Sequence, residues 1–548
     1  MKVKKHLLAA AVTLIVAAVG YYFTLPAISI HNPDLLWDIA ILAIIYRLTL
    51  SFGSVVETVR TKNFPSLQDI RNVRGLTMPT KVTVLIVAAC ALIAVVGSMI
   101  GWQIFRAGSY RNLLTVGEGD FTKDVQEITY DRIPTLDYDS AAKLGTRKMG
   151  ELSDMVSQFT VLDNYTQINY KGRPTRVTPL GYADVFKWFN NVNDGIPAYI
   201  SIDMVSQEVT VHRLEHGMKY SNADHFDRLL DRHLRFHYPT FIFSKANFEI
   251  DEDGTPFWVC PRVRYRIGLY GGRDIGGVVL VNAVTGEHHY YVIKDVPSWV
   301  DRVYDAEMII EQYDYYGTLQ KGYWNSVFGQ KDCKQTTDGY NYIAIGDDVY
   351  MYTGVTSVAA DESNVGFILT NQRTKQTSFY PIAGAEEFSA MSSAEGEVQN
   401  LKYQATFPLL LNVGGEPTYF IALKDNAGLV KMYAMVNVRQ YQIVGKGQNL
   451  KECEKNYVAL IGAADLIDEK KTEPAKIETF SGAITDIRTA VVGGNSIYYF
   501  RLEGSDLTFR QSVADNEAVV TLNVGDQVVV TYEKEAGSPV PVTSLARA

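Results

Sequence analysis

Cysteine is scarce, with four residues in a chain of 548. That excludes a small disulfide-stapled scaffold, and with no Cys-x-x-Cys pair there is no thiolate knuckle or redox motif. Cys90 falls in an apolar run. Cys260, Cys333 and Cys453 are left for the rest of the chain, where at most one bridge can form and buried thiols are expected. Catalytic signatures are also missing: there is no Gly-x-Ser-x-Gly elbow, no His-Glu-x-x-His and no Gly-x-x-x-x-Gly-Lys-Ser/Thr loop. The glycines at 271, 272, 276 and 277 have the wrong spacing for a dinucleotide loop and lead into a strand, so they read as a turn or bulge. Basic charge is in deficit. A formal charge of −9 argues against a nucleic-acid binder, which needs a basic face to displace counterions.

The apolar fraction of 47% is ample for a core, and 42 Gly with 18 Pro exclude a collagen-like or disordered chain. Charge is unevenly placed. Residues 1–105 hold nine Lys+Arg and four Asp+Glu, which leaves 43 of 52 basic and 57 of 61 acidic residues for the remainder. The chain therefore divides into a membrane region and an acidic body.

Three apolar stretches, 7–23, 35–52 and 82–105, approach the ~20 residues that a membrane-crossing helix requires. A cleaved signal peptide is the competing reading of the first, but no small-x-small cleavage site follows it. Asp38 and Arg47 sit near the ends of the second, where polar groups can reach the interface. Lys2, Lys4 and Lys5 precede the first stretch, the 25–34 loop has no Lys or Arg, and the next loop carries Arg60, Lys62, Arg71, Arg74 and Lys81. Basic loops stay in the cytoplasm. The expected topology is a multi-pass plasma-membrane protein with a cytoplasmic N-terminus and an extracytoplasmic body. Arg106 and Arg111 run against the rule, which long translocated domains follow poorly.

In the body, 106–145 reads as a polar stalk. Helices are predicted at 141–159, 182–191, 222–236, 298–316, 386–401 and 450–467, with Val/Ile/Tyr/Phe-rich strand pairs between them. One hairpin recurs. Gly277–Tyr291 lies on Gly366–Tyr380 at an offset of 89 residues, with Gly, Leu, Asn, Thr and the last Tyr coinciding. Fainter copies are Tyr199–Glu208 and Tyr419–Val430. In each, a strand ends in Asn or Asp, whose side chain can fold back on the following backbone before a second strand leaves. The stretch Gly277–Glu287 (GVVLVNAVTGE) resembles the terminal hairpin of the PepSY family, although Lys375 stands where Gly286 does. The resemblance implies an extracytoplasmic, non-catalytic module that binds or restrains membrane proteins or peptidases, with no active-site residues to carry over.

The expected fold is a membrane-anchored α+β protein. Its parts are a transmembrane region (1–105), a first module (106–240), a second, PepSY-like module (241–335), a third (336–467), a charged linker (468–475) and a small OB-like β-barrel (476–548). Barrel strands are predicted at 477–487, 496–502, 507–511, 518–522 and 527–533.

Two groups of residues invite chemistry. His225, His233 and His237 are spaced for helical metal ligands, but Arg228, Arg232 and Arg235 oppose a cation there, and His288 and His289 point to opposite faces of a strand. No metal and no cofactor are expected. Trp299, Asp301, Tyr304, Glu311, Tyr315, Tyr316 and Trp324 belong to the densest aromatic stretch and form the candidate binding groove, with core packing as the competing use. Asp301, Glu307 and Glu311 could supply paired carboxylates only if the fold brings them together. The leading expectation is a non-enzymatic binding, scaffold or regulatory protein whose partners are the bilayer and another membrane or envelope protein. A hydrolase of peptide or glycan with a cleft near 299–325, and an accessory subunit of a transport or assembly complex, are the alternatives.

Overall fold

The computed structural model describes residues 2–61, 77–125, 127, 133–358, 360–464, 466, 477–492, 495–513, 516–533 and 539–547. The linker at 468–475, with Lys62, Arg71 and Arg74 of the second loop, lies outside them. The chain forms two units, Met1–Leu466 and Ile467–Ala548.

Three N-terminal helices open the first unit: α1 (Lys2–Thr24), α2 (Pro33–Thr61) and α3 (Met78–Ile100). Each contains a stretch long and apolar enough to cross a membrane, namely Val3–Thr24, Pro33–Phe52 and Met78–Ile100. Helix α2 packs against both others. The third stretch stops at Ile100, short of the expected Phe105, because Gly101 breaks the helix and a new one, Gln103–Arg111, begins. Tyr110 of that helix donates to Gly101 O at 2.7 Å, which fixes the bend.

The expected stalk is not one. Gln103–Arg111 packs on the helix Ala306–Thr318, and Val116–Glu118 pairs in parallel with Thr377–Tyr380. The first body segment is therefore built into a sheet.

Four sheets follow, and they share one topology. Each is preceded by a helix: Tyr138–Gly150, Leu230–His237, Ala306–Thr318 and Glu387–Gly396. In each, a long third strand is flanked by the fourth strand and the short first one. The second strand hairpins onto the third, and the fifth lies outside the fourth. The third strands are Arg173–Tyr182, Pro256–Ile267, Asp348–Ser357 and Glu416–Lys424. The range 336–467, expected to hold one module, contains most of the third sheet and all of the fourth. The second strands, Thr166–Tyr170, Asn247–Ile250, Asn341–Ile345 and Leu409–Val413, pack in succession: the first against the second and the third, and the third against the fourth.

The recurring hairpin has one cause. Asp203, Asn282 and Asn371 each accept, through Oδ1, the backbone N–H groups two and three residues on. The residue after that turns left-handed: Gln207 (φ 61°), Gly286 (φ 77°) and Lys375 (φ 65°). The fourth copy is Asn437, which accepts from Arg439 N and Gln440 N. Tyr419–Val430, proposed for this role, is the preceding hairpin. Its Asp425 makes an Asp-x-x-Gly turn like that of Asp251.

Capping sets several helix starts. Asp137 accepts from Ser140 N, Asp305 from Met308 N and Asn449 from Glu452 N. The helix expected at 298 therefore starts at Ala306, behind Asp305. Likewise the helix expected from 222 begins at Leu230, because Ser221 Oγ donates to Asp224 within a turn. Val259, Val278, Val300, Val303, Met308 and Ile309 bury the third repeat's helix against the second sheet. All four cysteines are buried and unbridged.

The second unit is a closed five-stranded barrel: Ile477–Val492, Asn495–Leu502, Thr508–Ser512, Val540–Arg547 and Gln527–Glu533, in that order around it. Phe500, Phe509, Val528 and Val530 fill it. Ala518–Leu522 is not the predicted strand. Asn516 caps a 3₁₀ turn there by accepting from Ala518 N, and the missing strand is Val540–Arg547.

Candidate functional site

The aromatic stretch does not make one groove. Trp299 packs on Phe257 with ring centroids 5.1 Å apart, and Tyr304 lies in the same core. Tyr316 packs at a tilt against Tyr313 in a second core, while Tyr315 meets Tyr110 edge-on in a third and donates to Glu311 Oε1 at 2.7 Å. Trp324 is exposed and stacks on Phe328. Glu307 and Glu311 are exposed, whereas Asp301 is buried, so the three carboxylates do not converge.

Asp301 instead joins a carboxyl that sequence reasoning missed. Glu249, on the second strand of its sheet, accepts from Asp301 N at 2.8 Å and from Arg302 N at 2.9 Å, one bond to each oxygen. Asp301 Oδ2 accepts from Asn169 N at 2.6 Å. Both groups are fully enclosed, at 0% and 1% exposure. Burial raises Glu249 to about 7, against the pull of those two backbone N–H groups. Burial and the neighbouring Glu249 raise Asp301 further from its ordinary range. A carboxyl that a substrate cannot reach ties chains together rather than catalysing; this pair links the second strands of the first two sheets to the loop before the third helix.

The open site lies where the body meets the helices. Arg232 donates from Nε to Tyr22 O at 3.1 Å, with its guanidinium 3.9 Å from the Tyr22 ring centre. Arg235 donates from Nε to Leu25 O at 2.8 Å and from Nη1 to Phe241 O at 2.6 Å. Ile28 N donates to Pro239 O, and His31 Nδ1 lies 2.8 Å from Leu269 O. These contacts hold the end of α1 and the start of α2 against the second repeat. Between them is a cavity of about 920 Å³ bordered by Asp34, Trp37, Asp38, Asp231, Arg235 and Lys245, among others. Asp38, costly in lipid, faces this cavity, as ionisable groups in spanning helices do. Burial raises the Asp231 carboxyl, and Arg235 opposes the shift. No sequence pattern reveals this site, because residues 23–38 and 222–246 meet only in the fold.

A second cavity, about 510 Å³, lies at the end of α3 between Trp102, Tyr110, Tyr270 and Tyr323. A third, about 1150 Å³, opens between the helices at their other end. Apolar Leu14, Leu42 and Ile86 line it, together with Lys5, His6, Tyr46 and Arg47.

Of the three histidines spaced for metal, His225 leaves the group and packs on Trp188. His233 and His237 remain together, and His288 joins them from the neighbouring strand.

No protein-family model matches the chain, and no curated protein matches it. Among solved structures, a point mutant of the Synechocystis apocarotenoid oxygenase is similar at 8% identity and a TM-score of 0.14, over 71% of this chain and 65% of that one. An apocarotenoid oxygenase/RPE65 chimera is similar at 7% identity and the same TM-score, over 71% of this chain and 62% of its own. The alignments thus span less than two thirds of either structure, and at that TM-score they carry no argument about fold or activity.

Proposed function

We propose that this is a plasma-membrane protein whose body stands on the extracytoplasmic face and works as a non-catalytic binding, scaffold or regulatory module. The observation that supports it best is the seat: the body is hydrogen-bonded to one end of the helix bundle, and an open cavity that carries Asp34, Asp38, Asp231 and Lys245 on its walls lies at that level. The basic segments Lys2–Lys5 and Arg60–Lys81 lead into the other ends of the helices, and the charge rule puts those in the cytoplasm. Trp102, Trp324 and Phe328 are exposed; Tyr323, next to Trp324, shares a cavity with the end of α3. Such residues suit the aromatic belt of a bilayer interface. Confinement beside the membrane raises the effective concentration of the body for partners in the same bilayer. In this reading the repeated strand–turn–strand units act as PepSY-like modules, and the closed five-stranded barrel as a small OB-like one.

A photo-crosslinking residue at Trp37 or Lys245, on the cavity rim, tests this in living cells. The expected result is a discrete adduct with a membrane or envelope component that weakens in Asp38→Asn and Asp231→Asn, with no adduct from Lys171. Turnover of peptide or glycan by the purified chain, abolished by Glu311→Gln in a folded variant, would replace the proposal with the hydrolase reading.

A further inference from the structure

We infer that His233, His237 and His288 form a binding site for a divalent late transition ion, with zinc as the natural occupant. His233 and His237 are one turn apart near the end of the helix Leu230–His237, so both rings leave the same face. His288 opens the strand His288–Tyr291, which pairs with the long strand Gly271–Asn282. Across these two elements, one ring nitrogen of each histidine lies within 4.8 Å of the others. Ring centroids are 4.5, 5.3 and 4.3 Å apart for the pairs 233–237, 233–288 and 237–288.

One nitrogen of each ring has a hydrogen-bond partner. His233 Nε2 lies 2.9 Å from Gly286 O, His237 Nδ1 lies 2.8 Å from His233 O, and His288 Nδ1 lies 2.9 Å from Tyr238 Oη. A carbonyl takes the N–H of one ring nitrogen and leaves the other as a lone pair, as at His233 and His237, which is how outer groups prepare histidine ligands; His288 is prepared alike when the Tyr238 hydroxyl accepts. Three imidazoles suit zinc, copper or nickel rather than magnesium or calcium. Tetrahedral zinc at ~2.0–2.1 Å from each nitrogen needs the nitrogens about 3.4 Å apart.

The arginines that argued against a cation are spent elsewhere. Arg228 donates to Val192 O, Arg232 to Tyr22 O and Phe226 O, and Arg235 to Leu25 O and Phe241 O. Asp227 and Glu287 are the acidic neighbours of His233 and His288. The helix C-terminus adds a favourable dipole. His237 is exposed and the other two are half-buried, so a fourth position stays open to water or to a donor from a partner. The same helix carries Asp231 and Arg235 on the wall of the junction cavity. A bound ion would therefore pin that wall to the second sheet. The inference stands on the histidine geometry alone, whatever the cavity binds.

The purified full chain in detergent, stripped with a chelator and titrated with Co²⁺ and then Zn²⁺, tests it. The expected result is one Co²⁺ per chain, with visible d–d bands that Zn²⁺ abolishes. His233→Ala, His237→Ala and His288→Ala should each weaken binding by ~100-fold or more, at or beyond the upper range for loss of an outer partner. His225→Ala and His289→Ala should bind like the parent. Unchanged circular dichroism in the three variants separates lost ligation from lost fold; for a variant that fails to fold, the Gln substitution at the same position is titrated instead. Absence of stoichiometric Co²⁺ binding in the parent, or its survival in a folded His288→Ala or His288→Gln chain, would overturn the inference.

Discussion

Lys375 places its ammonium 2.6 Å from Asp274 Oδ1, so the hairpin turn of the third sheet is bolted to the long strand of the second. The same ammonium donates to Gln312 Oε1 and Leu113 O, both at 3.1 Å. Lys375 holds a left-handed conformation where the preceding repeat has Gly286, a strain of order 1–2 kcal/mol for a residue with a side chain. The lysine stands there for its reach.

Replacing it separates the two effects. Lys375→Gly removes the strain but leaves Asp274, 5% exposed, with the half-exposed Arg266 as its remaining ion-pair partner among the described residues. Breaking a buried pair costs about 3 kcal/mol, which outweighs the relief. The expected result is a net loss of ~1–2 kcal/mol in denaturant titrations. The double variant with Asp274→Asn should recover part of it. A Lys375→Gly chain as stable as the parent would show the ion pair to be dispensable.

The Glu249–Asp301 pair gives a pH dependence whose sign is fixed. Both carboxyls are raised in the folded state, so the native chain keeps a proton that the unfolded chain releases. Stability then falls as pH climbs from the ordinary carboxylate range toward about 7, where Glu249 lies. Glu249 accepts two backbone bonds, while Asp301 Oδ1 has no hydrogen-bond partner among the described residues, so of the two Asp301 keeps its proton to the higher pH. Asp301→Asn mimics that form and removes its share of the linkage, so the fall in melting temperature between pH 5 and 8 should be shallower than in the parent, with the share of Glu249 left. Glu249→Gln turns an amide N–H against a backbone N–H and should destabilise by ~1–3 kcal/mol at every pH. Identical pH profiles for the parent and Asp301→Asn would remove the pair as the cause.

Much of this organisation was readable in order, and the failures have local reasons. The three spans announce themselves by length and apolarity. The Asn-x-x-Thr hairpin was visible because Asn282 and Asn371 sit in nearly the same sequence. The fourth copy escaped because Asn437 is followed by Val-Arg-Gln and its loop is one residue longer: Asn437 N reaches Ile443 O, where Asn371 N reaches Gln376 O. Val519 and Val520 read as strand because β-branched residues favour it, yet the Asn516 cap winds them into a turn. His288 was discounted against His289, its neighbour in sequence, whereas its relevant neighbours are on a helix fifty residues earlier. Asp38 reads as an interfacial residue at the end of a span, and in the fold it borders the junction cavity.

The seat of the body depends on Arg235. It is 9% exposed and donates to carbonyls of Leu25, Tyr238, Pro239 and Phe241. Arg235→Met keeps the stem but strips these donors from partly buried oxygens, at ~1–3 kcal/mol for each that water cannot reach. The expected outcome is a lower melting temperature together with faster amide exchange at 25–28, while the barrel at 477–547 keeps its protection. Loss confined to the barrel would mean that the arginine does not hold the junction.

Membrane orientation is tested at one pair of positions. Lys4 lies in the first turn of α1, and the body is fixed to the other end of that helix, so the two lie on opposite faces if α1 spans. Lys171 is exposed in the tight turn of the first sheet's second and third strands. The native cysteines are all buried, which makes single introduced thiols readable. With a membrane-impermeant maleimide on intact cells, Lys171→Cys should label at once and Lys4→Cys only after permeabilisation. The reverse pattern would put the acidic body in the cytoplasm. Three lysines and the basic second loop would then have crossed the membrane against the charge rule, and extracytoplasmic binding would be untenable whatever the cavity holds.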